Sequence, residues 1–577
     1  MTFTRRQTVR MLAAAPALAA AAPPKRAPLD PDGPAARELA DALGAKLLKV
    51  ASPLEACAAA GGKGADALFQ ALKNPYYLGD EPALTQTLGW TEAWTSQASP
   101  LAVAAESAAD IARAVEIARR HDLRIAVKGG GHSYYGNSNA AGSLLIWTRR
   151  MDAVELHDAF LPVGAPKGAA GIPAVSIGAG AIWARVYHRV MVEAGRYVQG
   201  GGCLTVGVAG FVSGGGFGSL SKQFGTGAAN LLEAEIVTAD GKVRICSAYR
   251  EPELFHALRG GGGGSFGVIA RLTLRTDPLP DTIGAILFSV EAKTDAAWRS
   301  LVARTIAFYA DKLFEPRWGE QLRFGPGRRL SVTMLFHGLS QPEVEALWKP
   351  YLDTVRANPE AYGWRDEPAV IAASGRQFWD AAFLRRIDVV LPDARPDAPD
   401  RNVFWANNLG EAGQVLYAYE SAWLPQALLR PDARPRLAEA LIEASRAWSV
   451  ALHVNKGLAG GDPAAIARAR ETAMNPAVCD AFALLICAAD APPGWPGIPG
   501  HEPDVAQGRK EKAAVARAMA PIRRLVPDAG AYLSEADYFQ RDWQRAFWGD
   551  HYPRLLAAKR RYDPASLFTA HQTVGSA

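Results

Sequence analysis

Three glycine-dense segments inside 140 residues constrain this 577-residue chain more than any other feature. They are Lys128-Gly129-Gly130-Gly131-His132-Ser133, Ser213-Gly214-Gly215-Gly216-Phe217-Gly218, and Arg259 followed by Gly260 to Gly264, Ser265, Phe266 and Gly267. Glycine loses more freedom on folding than any other residue, so clusters outside a linker imply that something approaches the backbone closely. Loops without Cβ atoms can turn successive N–H groups toward one point and make an anion nest. A buried diphosphate needs such donors, because an unpaired buried charge is prohibitively costly. Neither common nucleotide fingerprint fits. A P-loop needs Gly-Lys-Ser/Thr at a helix start, and Lys128 precedes its glycines. Gly214-Gly215-Gly216-Phe217-Gly218 lacks the acidic residue about 20 positions on that a nicotinamide-binding unit carries.

The surrounding pattern is α+β. Helical periodicity runs from about Ala35 to Ala60, and Ala102 to His121 reads as a short strand, a turn and an amphipathic helix. A buried strand, Arg124 to Val127, runs into the first glycine segment. Ala174 to Ile177, Ala234 to Thr238 and Val268 to Leu274 are further β-branched runs, and Thr238-Ala239-Asp240-Gly241 is a hairpin signal. Beyond Pro280 the glycine clusters stop, and alternation such as Arg329 to Leu335 predicts an antiparallel sheet with helices.

The N-terminus pairs Arg5-Arg6 with an Ala/Leu-rich run from Met11 to Ala22 that Pro16 interrupts. Such a run is shorter than the roughly 20 apolar residues a membrane span requires. With A-x-A sites near Ala20 to Ala22 it reads as a twin-arginine-type signal peptide, so export to the periplasm or the medium is expected. Cleavage after Ala22 removes Arg5, Arg6 and Arg10 and lowers the formal charge from +5 to +2. A nearly neutral protein has no electrostatic footprint for nucleic acid. Cys57, Cys203, Cys246, Cys479 and Cys487 show no C-x-x-C spacing, so no metal site is expected. Their odd number leaves at least one thiol for another use, with Cys203 the candidate.

Four blocks in order carry a resemblance. They are Val127 to Ser133; Gly202-Cys203-Leu204-Thr205-Val206-Gly207-Val208-Ala209-Gly210; Leu258 to Val268; and Trp543 to Leu555 with Lys559 and Tyr562-Asp563-Pro564. From about Pro100 onward the chain resembles the berberine bridge enzyme-like branch of the vanillyl-alcohol oxidase flavoproteins, especially its bicovalent oxidases. The resemblance implies a two-domain α+β fold: a signal and linker over residues 1–27, an FAD-binding domain over 28–280 with its core at about 95–280, a substrate domain on an antiparallel sheet over 281–525, and a segment 526–577 returning to the FAD domain. It implies FAD bonded through His132 to the 8α-methyl and through Cys203 to C6. A neutral imidazole and a thiolate are nucleophiles suited to that electron-poor ring. By the same resemblance Gly130, Gly131, Ser133, Gly214 and Gly215 lie near the pyrophosphate and ribose, Ser265 and Gly267 near the ring or its chain, and Ile236 and Val237 near the adenine. Gly207, Gly210 and Gln572 complete the cofactor set, although Ser265 stands where relatives often carry Asn. Val206 falls at a gate over the flavin and leaves room for O2, so the expectation is an oxidase that releases hydrogen peroxide.

Oxidising a carbon that bears a hydroxyl needs a hydride acceptor and a base for the hydroxyl proton. Relatives read Tyr-x-Asn-Tyr or Tyr-x-Asn-Glu where this chain has Tyr532-Leu533-Ser534-Glu535. In a strand, Glu535 and Asp537 share a face while Tyr532 points elsewhere unless the chain bulges. Glu535 is favoured as base, with Tyr532 as positioning group and Asp537 as a surface charge, and the choice among the three stays open. Tyr134 is placed beside the substrate, and His453-Val454-Asn455-Lys456 is a polar cluster suited to line the cavity. The partner is a small molecule, an oligosaccharide, alkaloid or secondary alcohol among relatives. Two alternatives stand: a dehydrogenase of the same fold with a non-oxygen acceptor, and a flavin-binding protein without turnover.

Overall fold

The computed structural model describes residues 26–576, so the twin-arginine stretch and the apolar run after it lie outside the described residues. Strands Leu101–Ala104, Leu144–Trp147 and Ile125–Lys128 pair in parallel, with Leu47–Lys49 antiparallel at one edge. Continuous apolar runs such as Leu144-Leu145-Ile146-Trp147 belong in a sheet covered on both faces. Helix Ala108–Arg120 supplies one cover, burying Ile111, Ala114, Val115, Ile117 and Ala118 against Leu101, Val103, Leu144 and Ile146. Its N-terminus is capped by Ser107, whose Oγ accepts the Asp110 N–H at 3.2 Å.

The helical stretch expected from Ala35 to Ala60 is broken. Helix Pro34–Leu43 stops at Gly44, which takes φ +52°, the strand Leu47–Lys49 intervenes, and a second helix restarts at Pro53 behind the Ser52 cap. The hairpin forms as expected. Val237 pairs with Val243 around Asp240-Gly241, and Asp240 Oδ1 accepts the Thr238 hydroxyl at 2.7 Å. It belongs to a five-stranded antiparallel sheet ordered Val243–Ser247, Leu231–Val237, Val268–Arg275, Ile172–Gly178 and Val154–Phe160.

The third sheet has nine strands. Its order is Tyr362–Ser374, Thr282–Ala292, Arg329–His337, Trp318–Gly325, Val450–His453, Ala481–Ala491, Gln414–Pro425, Thr87–Trp90 and Trp94–Thr95. The last two strands come from the N-terminal part of the chain and add to its edge. Strand alternation sorts its residues: Ile286, Phe288, Val332, Met334 and Phe336 are buried beneath helices Asp295–Phe308, Gln341–Arg356, Arg434–Ala447 and Val505–Leu525. Ala285, Leu287, Thr333 and Leu335 point the opposite way, into a cavity.

The C-terminal segment returns to the five-stranded sheet. Trp543, Phe547, Trp548 and Leu555 share one core with Val175, Ile177 and Leu272. Lys559 Nζ donates to the Ser265 carbonyl at 2.7 Å and pairs with Asp563 at 2.6 Å, locking this tail against the third glycine loop. Among the described residues no helix is long and apolar enough to cross a membrane, and the five cysteines form no disulfide.

Candidate active site

A cavity of about 860 Å³ opens between the glycine loops and the front face of the nine-stranded sheet. Two loops meet backbone to backbone at its floor: a Cβ on Gly130 would lie 2.6 Å from the Gly207 nitrogen, and one on Gly207 would lie 2.6 Å from the Gly130 nitrogen. Only glycine permits that approach. At Gly210, Gly263 and Gly264, which also line the cavity, an added Cβ would meet no protein atom within 4 Å. Backbone is therefore bared there toward open space, which is the surface a diphosphate needs. Lys128 points away from that space. Its buried Nζ donates to the carbonyls of Glu81, Pro82 and Leu84 at 2.7, 3.2 and 2.8 Å and holds the neighbouring loop.

His132 and Cys203 arrive on separate loops and meet at Thr205. The Thr205 hydroxyl lies 3.2 Å from His132 Nε2 and 3.6 Å from Cys203 Sγ. Burial pushes the His132 imidazole down to about 4, so it is neutral. The thiolate expected at Cys203 is not favoured. Burial, reinforced by Glu411, raises its thiol to about 11 despite the hydrogen bonds it receives from Thr205 and Val206.

The opposite wall carries further ionisable groups of the cavity. Residues 532 to 535 form a tight turn, not the regular strand that would have set Tyr532 and Glu535 on different faces: Glu535 N–H donates to the Tyr532 carbonyl at 2.8 Å. The turn brings Tyr532 and Glu535 together into the cavity and leaves Asp537 out of its lining, where its Oδ1 accepts the Phe539 N–H at 3.1 Å. Glu535 is ion-paired with Lys456, whose Nζ also lies 5.9 Å over the Tyr532 ring. Of the polar cluster, His453, Asn455 and Lys456 line the cavity and Val454 packs into the core behind. Burial, with Lys456 adding to it, holds His453 well below its ordinary value. Tyr134 reaches the same space with its ring centroid 5.1 Å from that of Tyr419.

The other residues singled out divide into two groups. Gly131, Ser133, Val206, Gly214, Gly267 and Gln572 line the cavity. Gln572 donates to the Tyr538 carbonyl at 2.9 Å, while its buried Oε1 has no partner and is an acceptor open to a ligand N–H. Ser265, Gly215, Ile236 and Val237 do not line it. Ser265 Oγ is occupied by the Val574 N–H at 3.2 Å, and Gly215 backs onto Met474. Ile236 and Val237 sit behind Gly267, where an added Cβ would lie 2.3 Å from the Val237 carbonyl oxygen.

Two residues that bear on the cavity were not singled out from sequence, the buried Thr205 behind its lining and Glu411 within it. Thr205 lay within a recognised block but looked like an ordinary loop residue. Glu411 closes the turn Ala406–Glu411 and lines the cavity with part of its surface exposed, and desolvation by the surrounding walls, with Glu535 and Asp490 adding repulsion, raises its carboxyl to about 7. Nothing in its local sequence distinguishes it from the many surface glutamates.

Comparison with known proteins follows the same geography. The FAD binding domain family matches residues 99–247, and the berberine and berberine-like family matches residues 531–575. An FAD-linked oxidoreductase of Arthroderma benhamiae is 30% identical over 483 residues, covering 82% of this chain and 77% of its own. A VAO-type flavoprotein from Myceliophthora thermophila C1 superposes with a TM-score of 0.75 at 22% identity, over 95% of this chain and 97% of that one. A glucooligosaccharide oxidase from Acremonium strictum, described with a 6-S-cysteinyl, 8α-N1-histidyl FAD, superposes at 0.60 and 20% identity over 82% and 91%.

Proposed function

The chain belongs to the berberine bridge enzyme-like FAD-linked oxidoreductases of the vanillyl-alcohol oxidase superfamily, and from that premise we propose that it oxidises an alcohol-type carbon, in a sugar or a secondary alcohol, with O2 as acceptor and hydrogen peroxide as co-product. The observation that carries the reading is the convergence of His132 and Cys203 on Thr205, facing Tyr134, Tyr532 and Glu535 across one cavity. The residues fit FAD: bared backbone at Gly210, Gly263 and Gly264 suits the diphosphate, and the unpartnered Gln572 Oε1 suits a ring N–H. Bound there, FAD supplies an isoalloxazine that accepts a hydride and is reoxidised by O2.

We assign His132 and Cys203 to two covalent links, as described for the Acremonium strictum oxidase. With Nε2 held by Thr205, the neutral His132 has Nδ1 as the ring nitrogen that would form the first bond. The raised Cys203 thiol must lose its proton before the second can form. Gly130, Gly131, Ser133, Gly207 and Gly214 shape the remaining cradle, and Val206 leaves the approach of O2 open. Glu535 accepts the substrate hydroxyl proton, Lys456 holds its charge in place, and Tyr532 and Tyr134 orient the substrate. Glu411 is the second candidate acceptor, favoured by its carboxyl lying near neutral pH. The Arg5-Arg6 signal supports export of the folded, flavin-loaded protein, which fractionation of expressing cells would test.

Acid denaturation and filtration test the cofactor assignment: yellow colour retained with the polypeptide supports it, and colour in the filtrate refutes it. Anaerobic bleaching by alcohols followed by peroxide formation on adding O2 supports the oxidase. Bleaching without peroxide makes the protein a dehydrogenase.

A further inference from the structure

The cavity wall changes character away from Glu535 and Lys456. Strand alternation turns Leu287, Leu335 and Ile371 from the front face of the nine-stranded sheet into the cavity. Segment 376–390 adds Phe378, Phe383 and Ile387 to the lining. All six are half-buried, whereas Ile286, Met334 and Phe336 on the sheet's other face are fully buried. Gln321, in register with Thr333, and Glu320 line the cavity from the neighbouring strand and border this patch on one side, while the six residues themselves present only apolar side chains. The covering segment is anchored at both flanks of its outer hairpin. Arg395 pairs with Asp80 and Asp393 at 2.8 and 2.7 Å, Asn74 donates to Asp393 at 2.7 Å, and Trp405 Nε1 donates to the Gly202 carbonyl at 2.7 Å.

Open apolar surface inside a cavity is stabilised by whatever apolar surface fills it. A sugar pressed against this wall would leave hydroxyls without hydrogen-bond partners, which is unfavourable. Resting on the alcohol-oxidation reading of the same cavity, we propose that the substrate is an amphipathic alcohol. Its hydroxyl-bearing carbon lies at the Tyr134, Tyr532 and Glu535 end, and its apolar arm lies between the sheet face at Leu287, Leu335 and Ile371 and the segment carrying Phe378, Phe383 and Ile387. The anchored segment makes the arm site preformed, so binding does not require the wall to order itself.

The test uses the flavin-loaded protein. Alkan-2-ols from butan-2-ol to decan-2-ol, and glucose, maltose and cellobiose, are mixed with it anaerobically and flavin bleaching is followed. The matching alkan-2-ones, which have no carbinol hydrogen to give up, are titrated by calorimetry. The expected result is a rise of about fourfold in bleaching efficiency per added methylene, with ketone dissociation constants falling by about the same factor. Leu335→Asn with Ile371→Asn, checked for retained flavin and unfolding temperature, flattens both series; Phe383→Ser does the same should the double variant fail to fold. A flat ketone series overturns the apolar arm, and so does sugar bleaching that outpaces every alkanol. Graded ketone binding without bleaching by any alcohol supports the arm and overturns the oxidation reading instead.

Discussion

His132 Nε2 and the Thr205 hydroxyl lie 3.2 Å apart, and the same hydroxyl reaches Cys203 Sγ at 3.6 Å. One small side chain therefore orients both residues proposed to bond the flavin. Thr205→Val keeps the shape and removes the hydroxyl. Loss of one ordinary hydrogen bond corresponds to about 1 kcal/mol, so attachment through His132 should slow about fivefold. Peptide mass mapping of the flavin links over time after cofactor loading checks this, and attachment at the wild-type rate would refute it.

Glu535→Gln removes the proposed acceptor and leaves Lys456 as a buried cation without its carboxylate. Turnover should fall by about a hundred- to ten-thousand-fold while the protein stays yellow. Lys456→Met should cost less, since the carboxylate survives. Stopped-flow bleaching separates the two, and an E535Q protein with normal bleaching would exclude Glu535.

Glu411 makes a stability prediction with a definite sign. The cavity walls around it raise its carboxyl from 4.5 to about 7 while the residue keeps an exposed face, so the folded protein holds a proton that the unfolded chain releases and solvent screening keeps the effect small. That contribution is complete below about pH 4.5 and is lost as pH rises through about 7. Glu411→Gln cannot ionise, so its unfolding temperature should gain on the wild type between about pH 5 and 8. Parallel curves across that range would remove Glu411 from the account.

Lys128 belongs to the scaffold. Replacing it by Met leaves the carbonyls of Glu81, Pro82 and Leu84 without their shared ammonium. The expected loss is roughly 2–4 kcal/mol in denaturant unfolding, larger than its effect on any step of turnover.

Glycines of the two kinds should respond differently to one added methyl. Gly130→Ala forces two backbones apart where the gap is already closed, and should yield little soluble protein. Gly210→Ala meets no protein atom, so it should fold and lose affinity for FAD. Comparing soluble yield with flavin content distinguishes them. Equal behaviour would mean that Gly210 does not face the cofactor.

Much of this was legible in the chain because the signals are local. The run Gly129 to His132, the alternation from Arg329 to Leu335 and the Asp240-Gly241 turn each report a backbone requirement met by neighbours in sequence. The segment after Tyr532 stayed open in sequence because a strand and a turn place side chains oppositely, and four residues carry too little periodicity to separate them. Ile236, Val237 and Ser265 were assigned by resemblance to the cofactor's surroundings, and the fold sets them one layer behind Gly267 or occupied by Val574.

Residue types and their short-range spacing were enough to specify glycine loops able to hold a diphosphate and an antiparallel sheet, since each depends on geometry within a few residues, while the flavin and the roles of His132 and Cys203 came from the resemblance of four sequence blocks. Proton affinities and the company each side chain keeps were settled by folding alone. Glu411, Glu535 and Lys456 come from distant parts of the chain, and their charges act on one another only because the fold brings them to one cavity, where water screens them less than in the open solvent.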